Sequence, residues 1–243
     1  MKTLSHIIAI VWLCAVAPAL GFIINPFRFT GAGGGGDPYF SSVKLLLHLD
    51  GSNGATSTTD SSSSARAMTF YGNAQLTTTS PKYGSAALLL DGNGDYIDTP
   101  SSADFEFSGD FTLEAWVYLT TTSGSYKTIF GSGTYGLYHI SNTLVWYSTA
   151  AGLTTFGTIT NDAWHHIAIS RSGTSLKCFV DGTQSGSTLT SSTSFTCTTT
   201  WKIGYDAIGA AYLTSKIDDI RVTKGVGRYT ADFTAPTGAF PDS

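Results

Sequence analysis

FTLEAWVYL, residues 111–119, is the stretch of sequence that decides the fold. Apolar residues occupy every second position, and the intervening positions carry Thr112, Glu114, Trp116 and Tyr118. Because successive side chains of a β-strand point to opposite faces, this period of two predicts one apolar face for the core and one mixed face. Two aromatic rings beside a carboxylate are typical of half-exposed binding sheets as well as of buried ones. We expect this strand to be central, since most other segments resemble strands that can pair with it.

Further strand-like segments and turn residues alternate along the chain on both sides of this stretch. The segments cover 43–49, 67–71, 86–90, 127–131, 136–140, 144–148, 164–171, 176–180, 201–204 and 217–223. Turn residues recur about every ten positions, and no segment keeps the 3.6-residue period of an amphipathic helix. This spacing predicts an all-β sandwich and argues against alternating strands and helices.

Composition narrows the function classes. Charged residues are only 12% of the 243-residue chain, but 13% aromatic residues suffice for a large core. The formal net charge is −4, and no basic cluster marks a nucleic-acid surface, so we expect no nucleic-acid partner. A single sandwich domain of ~200–250 residues is within the usual range for this class.

Residues 1–21 form a hydrophobic leader. Lys2 precedes an apolar run, and small residues follow at Ala17, Ala19 and Gly21, which is the layout of a secretory signal peptide. The run is too short to predict a stable membrane span. The leader favours a secreted or extracellular protein, and the alternative is an uncleaved apolar arm that docks on a partner.

Residues 22–42 read as an arm or linker that precedes the domain at 43–243. Three phenylalanines, at positions 22, 27 and 29, come before the glycine run Gly33–Gly36. Glycine loses the most backbone entropy on ordering, so the run favours a flexible tether. The aromatic residues favour a second interpretation, in which the arm anchors the domain to a protein partner.

Several blocks of the chain together resemble one known family. They are LLLHLDG (45–51), TDSSSS (59–64), KYGSAALLLDGNGDYIDTP (82–100), FTLEAWVYL (111–119), WHHIAISRSGTSLKCFVDG (164–182) and KIDDIRVTKGVGRYT (216–230). In this order they are similar to a laminin-G-like, concanavalin A-like domain, most of all to versions found in bacteriophage virion proteins. The resemblance implies an antiparallel two-sheet jelly roll that binds glycans, calcium or proteins. Some relatives are glycoside hydrolases, so the fold alone does not give the activity.

The residues argue against hydrolysis. Glycoside hydrolases flank the scissile bond with two carboxylates, and concanavalin A-like glucanases place them along one strand. The chain contains only two glutamates, Glu106 and Glu114, and no second carboxylate shares the strand face of Glu114. No G-x-S-x-G motif supports serine catalysis either. We therefore expect a protein without enzymatic activity.

Carbohydrate recognition needs aromatic faces beside polar groups that orient hydroxyls. The candidates are Glu114, Trp116, Tyr118, Trp146 and His166. Trp116 and Tyr118 stand opposite the apolar face of their strand. His166 shares its strand face with Trp164, and Trp146 has Tyr147 on the opposite face, so the pattern leaves open which of those two rings faces the core.

Calcium has two candidate positions. Asp91, Asn93 and Asp95 in DGNGD imitate the start of a calcium loop, but the same residues suit a tight hairpin, which we favour. The resemblance implies a second position, a structural calcium between the first and last strands with Asp50 and Asp219 as ligands.

Cys178 and Cys197 are the two cysteines that remain if the leader is removed. An even number in a secreted chain favours a disulfide between them. Two buried thiols are the alternative, and the favoured one if the protein matures in a cytoplasm.

These observations leave two functional hypotheses. The first is a non-catalytic glycan-binding or adhesion module displayed on an exposed surface. The second is a structural or decoration subunit of a virion or other assembly, anchored through its N-terminal arm and placed on the virion surface.

Overall fold

A computed structural model describes residues 36–120, 124–206, 208 and 211–243. The leader at 1–21, and the part of the arm at 22–35, lie outside the described residues. The described chain forms two antiparallel sheets that face each other, as predicted for a jelly-roll sandwich. Among the described residues, no helix has the length and apolar character needed to cross a lipid bilayer.

Sixteen strands and two short 3₁₀ helices make up the described regular structure. The 3₁₀ helices are Phe40–Ser42 and Ala103–Phe105. The strands are β1 Val43–Leu47, β2 Thr69–Tyr71, β3 Gln75–Thr77, β4 Ala87–Asp91, β5 Tyr96–Thr99, β6 Phe111–Leu119, β7 Lys127–Ser132, β8 Tyr135–Ile140, β9 Thr143–Ser148, β10 Gly152–Thr158, β11 Trp164–Ser172, β12 Ser175–Val180, β13 Thr183–Gln184, β14 Leu189–Thr190, β15 Trp201–Ile203 and β16 Thr214–Lys224.

The nine-stranded sheet has β6 at its centre. Its order is β13-β12-β11-β6-β16-β4-β3, with β1 also paired to β16 and β14 to β12. The expectation that residues 111–119 form a central strand is therefore confirmed. The seven-stranded sheet has the order β10-β9-β8-β7-β15-β5-β2.

The core lies between the two sheets. On β6, Phe111, Leu113, Ala115 and Val117 all belong to it, as their alternation predicted. The seven-stranded sheet contributes Trp146 and Trp201 to the same cluster. At ~25 cal/mol per Å² of apolar surface buried, such large rings supply much of the stabilisation of the sandwich.

The N-terminal end of the described chain is docked on the domain. Asp37 has a fully buried carboxylate, which pairs with Arg228 through a 2.6 Å contact and with Arg221 at 3.1 Å. Phe40 packs against Val43, Leu46 and Phe240. The predicted boundary between 42 and 43 is therefore wrong, because residues 36–42 are part of the folded domain.

Candidate functional site

The mixed face of β6 is ordered into rows by its two neighbouring strands. His166 of β11 and Asp218 of β16 flank Trp116. Trp164 and Lys216 flank Tyr118 one row further along the strand. Antiparallel cross-strand partners have Cβ atoms ~4.5–5.5 Å apart, so each row behaves as one surface unit.

Glu114 lies in the row most deeply covered, and it is fully buried. Its Oε1 accepts from Arg221 Nε at 2.9 Å, and its Oε2 accepts from the Tyr229 hydroxyl at 2.7 Å. His166 Nε2 lies 3.2 Å from the same Oε2. The prediction of Glu114 as a carbohydrate-binding residue is corrected, because its oxygens are occupied by this internal network.

The network balances buried charge. Arg221 and Arg228 face the carboxylates of Glu114 and Asp37. Burial alone would raise the pKa of Glu114, but the charge of Arg221 and the hydrogen bond with His166 hold that pKa well below its usual range. Both carboxylates therefore stay ionised, and their role is to hold the C-terminal segment against the sheet.

Trp116 and His166 are also buried, at 5% and 0% exposure. The ammonium of Lys82 sits 3.8 Å from the centre of the Trp116 ring, and the edge of Tyr83 meets that ring. The ring of His166 has Phe233 at a centroid distance of 5.8 Å. Both residues were predicted to face a ligand groove, and this is wrong because segments far away in sequence cover the face.

Trp146 lies in the core and is fully buried. Its ring contacts Tyr135, Phe111 and Phe195 at centroid distances of 5.8, 6.3 and 5.4 Å. The prediction of Trp146 as a sugar-stacking residue is therefore wrong, and the accessible ring of that strand is Tyr147.

Tyr118 is a predicted residue that lines an accessible pocket in the part of the chain that the structure describes. We call this the Tyr118 pocket; its volume is about 380 Å³. It is lined by Thr77, Thr79, Leu89, Leu90, Tyr118, Thr120, Thr214, Ser215 and Lys216. The half-buried ring of Trp164 meets the Tyr118 ring edge to face at 5.8 Å, and its indole N–H donates to Ser80 O at 3.2 Å.

Polar groups of the Tyr118 pocket stand beside its aromatic ring. Lys216 Nζ lies 4.6 Å from the centre of the Tyr118 ring and donates to Thr79 O at 3.2 Å. Burial lowers the pKa of Lys216 from its ordinary value. Ser215 Oγ is buried and has no hydrogen-bond partner among the described residues.

The chemistry of this pocket suits binding. A ring face, threonine hydroxyls and an ammonium can stack on a sugar and hydrogen-bond its hydroxyls. None of the lining residues is Asp, Glu, His or Cys. The pocket wall that the structure describes thus holds no carboxylate pair of the kind that glycoside hydrolysis uses.

A model for the concanavalin A-like lectin/glucanase superfamily matches residues 91–226, more than half of the chain. The chain belongs to this superfamily. The match contains β6, β11 and β16, which carry the rows described above. A search of curated proteins found no significant match.

Solved structures of low sequence identity share the superfamily fold. The binding domain of Paraclostridial Mosquitocidal Protein 1 has a TM-score of 0.61 at 10% identity, over 78% of this chain and 51% of that one. Domain 4 of AbnA, an arabinanase from Geobacillus stearothermophilus, was solved in complex with arabinotriose. It has a TM-score of 0.58 at 16% identity, over 76% of this chain and 93% of that one. A Trypanosoma rangeli sialidase in complex with sialic acid has a TM-score of 0.56 at 16% identity, over 75% of this chain and 31% of that one. The chain thus spans about half of the mosquitocidal domain and a third of the sialidase.

Calcium does not fit the pair that the superfamily resemblance implied. Asp219 Oδ1 lies 2.7 Å from His48 Nδ1, and its Oδ2 accepts from Phe240 N at 2.6 Å. Asp50 accepts hydrogen bonds from the backbone and hydroxyl of Ser85. Within the described part of the chain, no three Asp, Glu, His or Cys side chains are grouped to hold a metal ion. In the DGNGD turn, Asp91 Oδ1 accepts from Asn93 N, as a hairpin requires.

Cys178 and Cys197 are free thiols in this superfamily domain, and both are buried. Burial raises the pKa of each thiol, and Cys197 Sγ donates to Thr199 O at 3.1 Å. The predicted disulfide between them is not formed.

Sequence reasoning missed the residues that complete the Tyr118 pocket. Lys216, Ser215 and Thr214 come from β16, and Thr77 from β3. Lys216 lies beside Tyr118 because the register between β16 and β6 pairs these two residues. The alternation of side chains within a single strand gives no information about this register.

Proposed function

We propose that the chain is a non-catalytic carbohydrate-binding module of the concanavalin A-like superfamily, with the Tyr118 pocket as its binding site. The observation that carries the proposal is the accessible ring of Tyr118, beside Trp164 and Lys216, in a pocket whose lining residues include four threonines and a serine. An aromatic face with a few fixed polar groups is the usual composition of a sugar site.

The similar structures support this class of function. One is a binding domain, and another was solved with arabinotriose. The sialidase raises the question of catalysis, and the absence of acidic residues from the described pocket wall favours binding alone.

Display of the module outside a cell is part of the same proposal. It rests on the leader pattern of residues 1–21 and on the family resemblance. The alternative, a structural subunit anchored to a virion or other assembly, depends on residues 22–35. Deleting residues 1–35 separates the two hypotheses, because a binding module keeps its carbohydrate affinity while an anchored subunit loses its assembly.

The test of the binding proposal is affinity electrophoresis and calorimetry with a fixed panel of probes: arabinotriose and arabinan, sialyllactose, cellohexaose and chitotetraose. We expect one or more of these to bind. Tyr118→Ala should then weaken binding at this pocket at least about tenfold, or ~1.4 kcal/mol. Leu153→Ala is the matched control, because Leu153 is 51% exposed on the other sheet. Absence of binding to every probe, or unchanged pocket affinity in the Tyr118 variant, would overturn the proposal.

A further inference from the structure

A second aromatic surface lies on the outer face of the seven-stranded sheet, at its β5–β2 end. Tyr71, Tyr96, Tyr205 and Tyr212, which we call the tyrosine cluster, form two stacked pairs. Tyr71 and Tyr96 lie 4.3 Å apart with their planes 7° from parallel, and Tyr205 and Tyr212 lie 4.4 Å apart at 19°. Tyr96 joins the pairs through a 5.6 Å contact with Tyr205.

Strand alternation places the tyrosine cluster on the side away from the core. Ile97 of β5 and Ile203 of β15 are fully buried between the sheets. Their chain neighbours Tyr96 and Lys202 therefore point outward. Tyr71, on edge strand β2, is 37% exposed, and the other three rings are half-buried.

The polar groups at the tyrosine cluster are its four hydroxyls and the ammonium of Lys202. Within the described residues, none of the four tyrosine hydroxyls makes a hydrogen bond. The ammonium of Lys202 lies 5.0 Å from the centre of the Tyr96 ring and 5.5 Å from that of Tyr205. No carboxylate of the described chain is within ion-pair distance of this ammonium, although Asp98 is the cross-strand neighbour of Lys202. Hydroxyls and an ammonium thus lie beside the ring faces, while the neighbouring carboxylate residue Asp98 is buried, at 5% exposure.

We infer that the tyrosine cluster is a second carbohydrate-contact surface, which takes the pyranose rings of a neutral oligosaccharide. The inference rests on the proposed function. Tyrosine offers an apolar ring for the C–H face of a sugar and a hydroxyl for its rim. Lys202 and Asp98 together carry no net charge, which favours a neutral ligand over an acidic one.

A binding site for a protein partner is expected to expose a larger apolar surface than the tyrosine cluster does. In the described chain, the large hydrophobic side chains that are exposed are Tyr71, Leu153 and Ile208, so no broad aliphatic patch surrounds the cluster. Carbohydrate is the occupant that the free hydroxyls and balanced charges fit better.

Two contact surfaces on opposite faces of one sandwich have a clear consequence. One short oligosaccharide does not reach both, because the sheets themselves are ~10 Å apart and side chains extend outward from each. The domain would then bind two glycan chains, and binding to a polymer or a dense glycan surface would gain avidity.

The test compares Tyr71→Ala, Tyr118→Ala, the double variant and Leu153→Ala in the full chain. Calorimetry with cellohexaose, chitotetraose and arabinotriose gives the stoichiometry, and gel retardation in the corresponding polysaccharides gives avidity. We expect two sites per chain, with one lost in each single variant and both lost in the double variant. Retardation should fall at least about tenfold in either single variant, and Leu153→Ala should match the wild type.

The outcomes separate the two claims. One site that survives Tyr71→Ala but not Tyr118→Ala overturns the second surface and leaves the proposed function standing. One site that survives Tyr118→Ala but not Tyr71→Ala overturns the Tyr118 pocket and keeps the cluster. Absence of binding to all three sugars overturns this inference, as does a dimer in light scattering that Tyr71→Ala converts to a monomer, since the surface would then bind protein.

Discussion

Replacing Asp37 by Asn should destabilise the domain far more than its place near the end of the described chain suggests. Oδ1 and Oδ2 of Asp37 pair with Arg228 at 3.0 and 2.6 Å, and Oδ2 also contacts Arg221 at 3.1 Å. The substitution leaves two buried guanidinium groups facing the single carboxylate of Glu114. Removing one partner from a buried ion pair costs about 3–5 kcal/mol, and we expect a loss of that size in the free energy of unfolding.

Urea denaturation at pH 7 measures this loss, with Asp104→Asn as the matched control. Asp104 pairs with Arg66 at the surface and is one-third exposed, so its replacement should cost less than ~1 kcal/mol. Burial would raise the pKa of Asp37, but Arg228 and Arg221 lower it overall, so its stabilisation is lost as the pH falls below ~3.9. The gap between wild type and Asp37→Asn should therefore narrow in acid. Equal losses for the two variants at pH 7 would refute the account of residues 36–42 as part of the domain.

Three further predictions follow from buried groups. Burial raises the pKa of Asp218 to about 7, so between about pH 3.9 and 7 the folded protein holds a proton that the unfolded chain has lost. The free energy of unfolding should therefore decline as the pH rises from about 4 to 7. Asp218→Asn should remove this decline, which urea midpoints at pH 5 and 8 measure. Cys178 and Cys197 should resist a maleimide in the native protein and both react in urea without reductant, whereas a mass 2 Da below the reduced form would indicate the disulfide. Trp116→Ala should lower stability by about 3–5 kcal/mol in thermal melts, because the ring is buried under Lys82, and an unchanged melt would show that the ring is accessible.

The inner face of β6 could be predicted from sequence, and its outer face could not. Alternation assigns Phe111 and Leu113 to one side and Glu114 and Trp116 to the other, but it carries no information about what covers either side. The covers here come from distant segments: Tyr83 lies over Trp116, and residues 229–240 lie over the rows of Glu114 and His166. The row of Tyr118 is contacted at its two flanks, where Trp164 and Lys216 donate to the carbonyls of Ser80 and Thr79, and the Tyr118 ring lines the pocket.

Other differences between the sequence-based predictions and the structure also have local causes. Strand β10 is absent from the predicted set, because its sequence GLTTFGT is polar and carries glycine at the second-last position. The choice between Trp146 and Tyr147 was open because both neighbours are aromatic, and the structure turns Trp146 inward. An even count of cysteines favours pairing, but it does not bring Cys178 and Cys197 together.

The tyrosine cluster shows the opposite limit of sequence reasoning. Tyr71, Tyr96, Tyr205 and Tyr212 are spread over more than 140 positions, and no local pattern links them. Pairing of β2 with β5, and of β5 with β15, brings them to one surface. Only register converts four scattered aromatic residues into a candidate site.

Nitrogen-15 NMR of the tryptophan indoles tests the central claim most directly, because each ring reports on one place in the fold. Trp164 is half-buried beside Tyr118, with its indole N–H donating to Ser80 O, while Trp146 and Trp201 are fully buried in the core. Titration with the sugar that binds best in the probe panel should shift the Trp164 signal in a saturable way and leave the Trp146 and Trp201 signals in place. A saturating titration that leaves the Trp164 signal unchanged would contradict carbohydrate binding at the Tyr118 pocket.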